Sequence, residues 1–230
     1  MFDRIAELQG EWWKDCPMPK NCAGNDLVDL KSPLLRENFS EDLSDADPEW
    51  LERHLTPKEL AALRQKAGPD FFRTFWRCFA AKEACHKALA RTGLVVPHGA
   101  FRELDVDLFR RKAVHVSTGL QLDFRFTDDD EDKLHCVAVL RGGFIGDDEV
   151  AGDVVWDVSE VPAGTSPGVF ARERALDFIA SCDDEIGSAS KLALSEDGGL
   201  PTVLRRGKPQ DWSLSLSHSG RYAACAFMIS

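Results

Sequence analysis

Two carboxylates and a lysine pose the first chemical question in this sequence. Asp26 closes the run Gly24-Asn25-Asp26 and is followed by the apolar pair Leu27 and Val28. Farther along, Glu83 and Lys87 stand four residues apart, a spacing that puts both on one helix face. Carboxylate oxygens suit Mg²⁺, which takes only one or two of them from a protein and leaves its other positions to water and substrate phosphates. Asp26 and Glu83 on separate elements would suffice as metal ligands, with Lys87 one turn away as a phosphate contact. Plainer explanations exist for each: an i,i+4 ion pair for Glu83 and Lys87, and a turn or cap role for Asp26.

A second cluster lies near the C-terminus. Gly207-Lys208-Pro209 reads as a turn carrying a cation, and Trp212-Ser213-Leu214-Ser215-Leu216-Ser217-His218-Ser219-Gly220 follows it. Strand alternation puts these serines on the face opposite Trp212, Leu214 and Leu216. Ser217 and His218 then sit at the strand's end, beside a glycine that lets a ligand approach the backbone. Hydroxyl, imidazole and the nearby lysine suit a phosphate pocket; the alternatives are a solvent-exposed serine face and a histidine packed in a turn. A Ser–His hydrolase fits poorly, because adjacent residues at one strand end cannot adopt the triad geometry.

The elements that must position these groups follow from periodicity. Residues 3–15 pattern as a short amphipathic helix with Ile5, Leu8 and Trp12 on one side. A short strand or turn is expected around 26–30, then mostly loop over 31–49. Thr56-Pro57-Lys58-Glu59 has the form of a capping box that opens a helix to about Lys66. Asp70 is expected to cap the longest helix, about 71–91, closed by Thr92-Gly93. Its stripe Phe72, Trp76, Phe79 continues at helical spacing onto Glu83 and Lys87. Leu120, Leu122, Phe124 and Phe126 alternate as one strand face, and Leu134–Leu140 reads as a buried strand. The acidic turn between them, Asp128–Asp132, reads as a solvated hairpin tip.

After Gly142-Gly143 the pattern restarts, with strands near 150–158, a helix over about 168–182, strands near 190–205 and a last hairpin ending at Tyr222–Ile229. Leu134-His135-Cys136-Val137-Ala138-Val139 is echoed by Tyr222-Ala223-Ala224-Cys225-Ala226-Phe227. The expected fold is therefore α+β, a pseudo-dimer of two similar halves. Residues 1–142 carry the acidic groups and 143–230 the Lys208 and Ser217-His218 groups. Each half is a long helix on a small antiparallel sheet, with a ligand cleft at the seam.

Composition narrows the partners. The formal charge of −11 speaks against nucleic acid, since no broad surface would neutralise a phosphate backbone. Seven scattered cysteines without a C-x-x-C pair read as reduced thiols of a cytoplasmic protein. No apolar run reaches membrane-spanning length, and no signal-peptide pattern opens the chain.

Taken together, three segments resemble the 4′-phosphopantetheinyl transferase superfamily. Gly24-Asn25-Asp26-Leu27-Val28-Asp29 is similar to its first acidic motif, and Phe79-Ala80-Ala81-Lys82-Glu83-Ala84-Cys85-His86-Lys87 to its second, the K-E-A-x-x-K helix. Gly207-Lys208-Pro209 and Ser215-Leu216-Ser217-His218-Ser219 resemble its coenzyme A motifs. The order matches the short holo-acyl-carrier-protein synthase type, while the length resembles the monomeric pseudo-dimeric type with its halves exchanged. The resemblance implies Mg²⁺ on Asp26 and Glu83, and coenzyme A contacted by Lys87, Lys208, Pro209, Ser217 and His218. Glu83 and Lys87 would serve catalysis, and the acceptor would be a serine of an acyl or peptidyl carrier protein. The chain departs from the pattern at Phe79, where Trp is usual, at Asn25, and at Val28, where the long type carries a third carboxylate. Carrier proteins are usually acidic, like this chain, so recognition is expected to use a local basic patch or apolar contacts. A catalytically inactive relative binding coenzyme A or a carrier, and a metal-dependent phosphohydrolase, are the competing expectations.

Overall fold

A computed structural model describes residues 22–38, 48–66, 68–93, 101–140, 154–182, 188–197 and 199–229. The helix expected over 3–15 and the Gly142-Gly143 junction lie outside these residues. The protein is mixed α+β with antiparallel sheets and several helices.

The first sheet has five strands: β1 (Cys22–Asp29), β2 (Leu104–Asp107), β3 (Lys112–His115), β4 (Gln121–Asp129) and β5 (Lys133–Leu140). Their spatial order is β1-β5-β4-β3-β2. β1 is thus a full eight-residue strand at one edge, longer than the short strand or turn expected around 26–30. The stretch read as loop, 31–49, contains the helix α1 (Pro33–Asn38) and the start of α2 (Pro48–His54), each opened by a proline, which pre-sets the helical φ at a first-turn position. The capping box forms as its sequence requires. Thr56 accepts from the Glu59 N–H while Glu59 accepts from the Thr56 N–H, opening α3 (Pro57–Leu63).

The long helix α4 (Pro69–Ala90) lies across one face of the five-stranded sheet. Its cap is Gly68 rather than Asp70, because Pro69 occupies the first helical position and moves Asp70 inside the first turn. Phe75 is fully buried, which is worth about 2–3 kcal/mol for a side chain of that size. Phe72 and Phe79 only pack against the core's margin. Within the expected stripe Trp76 belongs to the core, while Phe72, Phe79, Glu83 and Lys87 are half-buried at its border.

The second sheet holds β6 (Val155–Glu160), β10 (Trp212–Ser219) and β11 (Tyr222–Ile229) in the order β10-β11-β6. The helix α5 (Pro167–Cys182) buries Ala175 and Ile179 against Leu214, Cys225 and Phe227. A small sheet of β7 (Leu192–Asp197), β8 (Leu200–Arg205) and β9 (Lys208–Pro209) completes this part. Between the two larger sheets, Ala23, Val137 and Val139 pack on Val154, Ala226 and Met228. The layers therefore run α4, first sheet, second sheet, α5. The echoed segments are interior strands of their sheets: β5 lies between β1 and β4, and β11 between β6 and β10.

The serines of β10 face this sheet-to-sheet contact. Ser213, Ser215 and Ser217 are buried, not on a solvent-exposed face. Ser213 Oγ accepts from the Ala23 N–H at 2.8 Å, Ser215 Oγ from the Asn25 N–H at 2.9 Å and Ser219 Oγ from the Asp29 N–H at 3.0 Å. An edge strand otherwise presents unpaired N–H groups, and three hydroxyls at every-second or every-fourth position satisfy them here. Asp29 adds a staple at the far end, accepting from the Arg221 backbone and guanidinium. Gly220 is required there, since a Cβ would stand 2.4 Å from Asp29 Oδ2.

The acidic turn is compensated rather than merely solvated. Lys133 pairs with Asp128 and Asp130, Arg73 and Arg77 with Asp129, and Lys31 with Asp132. No helix among the described residues is long and apolar enough to cross a membrane. The six cysteines described are free, five of them buried.

Candidate active site

The crossing of β1 over α4 builds the site. Gly24 faces the helix so closely that a Cβ would lie 2.0 Å from the Ala84 carbonyl oxygen and 2.5 Å from the Ala88 nitrogen. Ala80, Ala81, Ala84 and Ala88 supply the matching small surface on α4. Alternation along β1 then turns Asp26 to the helix side and Asn25 to the second sheet. Strand and helix backbones meet, so short side chains from both can interact.

Lys87 is the hinge of this arrangement. Its Nζ donates to Asp26 Oδ1 and to the Asn25 carbonyl, both at 2.9 Å. Burial raises the Asp26 pKa above the usual carboxylate range, Lys87 opposes that, and the negative charge of Glu83 raises it further. Two carboxylates act on each other here, with one ammonium between the strand and the helix. Such a pair fits a divalent cation: hard oxygens, excess negative charge and no crowding by further donors. Among the described residues no group of three or more His, Cys, Asp or Glu side chains gathers. An ion here would keep positions for water and phosphate. Val28, on the Asp26 side of β1, is packed into the core.

Lys87 also lines a cavity of about 260 Å³, together with Arg91, Gly168, Arg172, Glu196 and His218. Arg91 ties the end of α4 to the Pro201 and Leu214 carbonyls, and Arg172 pairs with Glu196 at its border. Cations thus outnumber the single carboxylate in this wall, which suits an anionic ligand. His218 is exposed and stands beside Gly168. Ser217 turns inward instead, its hydroxyl accepting from Asn25 Nδ2 at 2.9 Å. Lys208 and Pro209 are exposed at the β8–β9 turn and do not line the cavity. The cavity takes the opposite end of β8, at Leu200 and Pro201.

Two further networks of polar side chains are buried. Lys82, the first lysine of the K-E-A-x-x-K run, is fully buried: it pairs with Glu59 at 2.6 Å and donates to the Phe101 and Leu104 carbonyls. Glu59 meanwhile accepts from the Val106 N–H. This pair locks α3, α4 and β2 together behind Glu83. The second network is His135, fully buried, hydrogen-bonded to Asn25 Nδ2 and to Thr127. Burial above all, with the charge of Lys87, lowers its pKa to about 3, so the ring is neutral and accepts from Asn25. Only the capping box signalled Glu59 in advance; nothing in the local sequence marked His135.

A model of the 4′-phosphopantetheinyl transferase superfamily matches residues 24–140, which include Asp26, Glu83 and Lys87. The chain belongs to that superfamily, and membership implies a transferase. No curated protein and no solved structure matches it.

Proposed function

We propose that the protein transfers the 4′-phosphopantetheine arm of coenzyme A to a serine of an acyl or peptidyl carrier protein, releasing 3′,5′-ADP. The observation that carries this reading is the position of Lys87. One ammonium touches Asp26, on which the charge of Glu83 also acts, and lines a cation-rich cavity shared with His218.

Asp26 and Glu83 would hold Mg²⁺, which supplies charge neutralisation for the pyrophosphate. The chain's own groups do the rest. Lys87, Arg91 and Arg172 bind phosphate oxygens along the cavity, and His218 contacts the nucleotide end. Positioning and charge compensation are the main demands of phosphoryl-type transfer. The carrier serine oxygen forms a bond to the β-phosphorus, the bond from that phosphorus to the bridging oxygen breaks, and 3′,5′-ADP leaves with the electron pair. The serine proton passes to Glu83 or to water.

The two halves work as a pseudo-dimer within one chain, with the ligand at their seam. The equivalent strand orders β1-β5-β4 and β6-β11-β10, each with its own long helix, support this. Scattered free cysteines suit the cytoplasm.

The test is incubation of the full chain with coenzyme A, Mg²⁺ and a panel of apo acyl and peptidyl carrier proteins, read by mass spectrometry. One phosphopantetheine should be added to a carrier, and Glu83→Gln should abolish the addition. Tight coenzyme A binding without any mass gain across the panel would leave the binding-only relative standing instead.

A further inference from the structure

Among the described residues, the wall of the Lys87 cavity holds one carboxylate, and that carboxylate is paired with a guanidinium. Glu196 of β7 meets Arg172 of α5, and both side chains are about half exposed, 54% and 50%. The other cations of the wall are held differently. Lys87 donates to Asp26 and to the Asn25 carbonyl, and Arg91 donates to the Pro201 and Leu214 carbonyls. Arg172 is thus the wall's cation whose counter-charge belongs to the wall as well.

The fold sets this pair from both sides. Arg172 Nη1 also donates to the Gly168 carbonyl one turn back, at 3.1 Å, which brings the guanidinium to the start of α5. A Cβ on Gly168 would meet His218 Nε2 at 3.5 Å and Arg172 Nη1 at 3.6 Å. Imidazole and guanidinium therefore flank one spot, and the glycine leaves it clear. On the strand side, Glu196 stands opposite Pro201 in the β7–β8 ladder. Arg91 of α4 grips Pro201 and Arg172 of α5 grips Glu196, so the two helices hold one rung of that hairpin.

We propose that Glu196 is a competing counter-charge: it surrenders Arg172 to a phosphate of the bound nucleotide and takes it back as 3′,5′-ADP leaves. The inference rests on the transfer reading above. An exposed ion pair is among the weakest charge contacts. A phosphate monoester carries up to about two negative charges at pH 7 and accepts from both nitrogens of an arginine fork, so it displaces such a pair. The displaced carboxylate then stays beside the phosphate and repels it. Affinity is lower than the cations alone would give, and the same repulsion acts on the product. Product release limits many enzymes, and a carboxylate placed here shortens the product's stay.

The experiment is calorimetry on the full chain with Mg²⁺. It measures Kd for coenzyme A and for 3′,5′-ADP in the wild type, Glu196→Gln, Arg172→Gln and the double variant. Glu196→Gln should bind both nucleotides about threefold more tightly, and stopped-flow displacement should show 3′,5′-ADP leaving it more slowly. Arg172→Gln should bind both more weakly, by about threefold or more. With Arg172 already replaced, the Glu196 exchange should lose most of its effect, because no guanidinium remains to compete for. Unchanged or weaker binding by Glu196→Gln overturns the proposal; a gain in affinity is not what damage to the fold produces. A gain of equal size with and without Arg172 also overturns it, in favour of plain repulsion between Glu196 and the ligand. The transfer reading is scored separately. A wild type that modifies no carrier, yet binds the nucleotides more weakly than Glu196→Gln does, upholds the counter-charge while transfer fails. Nucleotide binding absent from both chains overturns the counter-charge as well.

Discussion

Gly24 runs against Ala84 at a distance that no side chain can occupy. The atoms a Cβ would meet, the Ala84 carbonyl oxygen at 2.0 Å and the Ala88 nitrogen at 2.5 Å, are both backbone and cannot swing aside. Gly24→Ala must therefore lift β1 from α4, at a cost of about 1–3 kcal/mol or more for overpacking. Because Asp26 is two residues on, transfer should fall with stability. Urea denaturation gives the first quantity; a variant as stable as the wild type would show the crossing to be looser than these distances say.

Asp26 itself should behave differently. Burial and the charge of Glu83 push its pKa up against the pull of Lys87, so the fold bears its ionised form at a cost. Asp26→Asn removes that charge and should leave stability nearly unchanged, while Mg²⁺ binding by calorimetry disappears and transfer drops at least a hundredfold. Full activity in this variant would remove Asp26 from the site.

The serine-capped edge of β1 makes a third expectation. Ser215→Ala leaves the Asn25 N–H without its acceptor in a buried place, which costs about 1–3 kcal/mol. The loss should appear as a lower denaturation midpoint and as faster amide exchange at Asn25. Exchange there that matches the wild type would mean that another group takes over the bond.

The Lys82–Glu59 pair behind Glu83 gives the largest expected effect on stability. Both side chains are nearly inaccessible, and removing one partner of a buried pair costs about 3–5 kcal/mol. Lys82→Met strands the Glu59 carboxylate and should show this loss in denaturation. Glu59→Gln keeps one carbonyl oxygen, which can accept from the Thr56 or the Val106 N–H but not from both, and it leaves the Lys82 ammonium without its counter-charge, so it should lose a similar amount. Two variants as stable as the wild type would show that the pair adds nothing to the fold.

These networks also separate what local sequence can and cannot reveal. The Thr56–Glu59 box, the alternation of Leu122 and Phe124, and the helix carrying Glu83 and Lys87 are local patterns, and all three appear in the structure. Pairing between distant segments is not local. Nothing near Ser213 or Ser215 says that β1, 190 residues away, needs its edge covered, so a serine face could be read as solvated or as phosphate-binding. Lys82 shares the helical run of Glu83 and Lys87, so spacing alone does not tell it from them. Its direction is set by the carbonyls of Phe101 and Leu104, which only the fold brings near. Lys208 and His218 are near in sequence, but Lys208 pairs with Arg205 at the end of β8 opposite the cavity.

His135 ties stability to pH through this same interior. In the unfolded chain an exposed histidine takes up a proton near pH 6.5, whereas burial and Lys87 hold the folded ring neutral down to about pH 3. Between those values the unfolded state binds the extra proton, so stability is full above pH 6.5 and falls as the pH drops. Each pH unit below that point costs about 1.4 kcal/mol, or about 2 kcal/mol by pH 5. His135→Gln keeps a polar group against Asn25 and Thr127 but cannot titrate, so its stability should fall less over the same range. The difference between the two chains, from urea midpoints at pH 7, 6 and 5, cancels the groups that they share. It should shrink by about 2 kcal/mol across that window; two parallel pH profiles would mean that the folded protein protonates His135 as readily as the unfolded chain does.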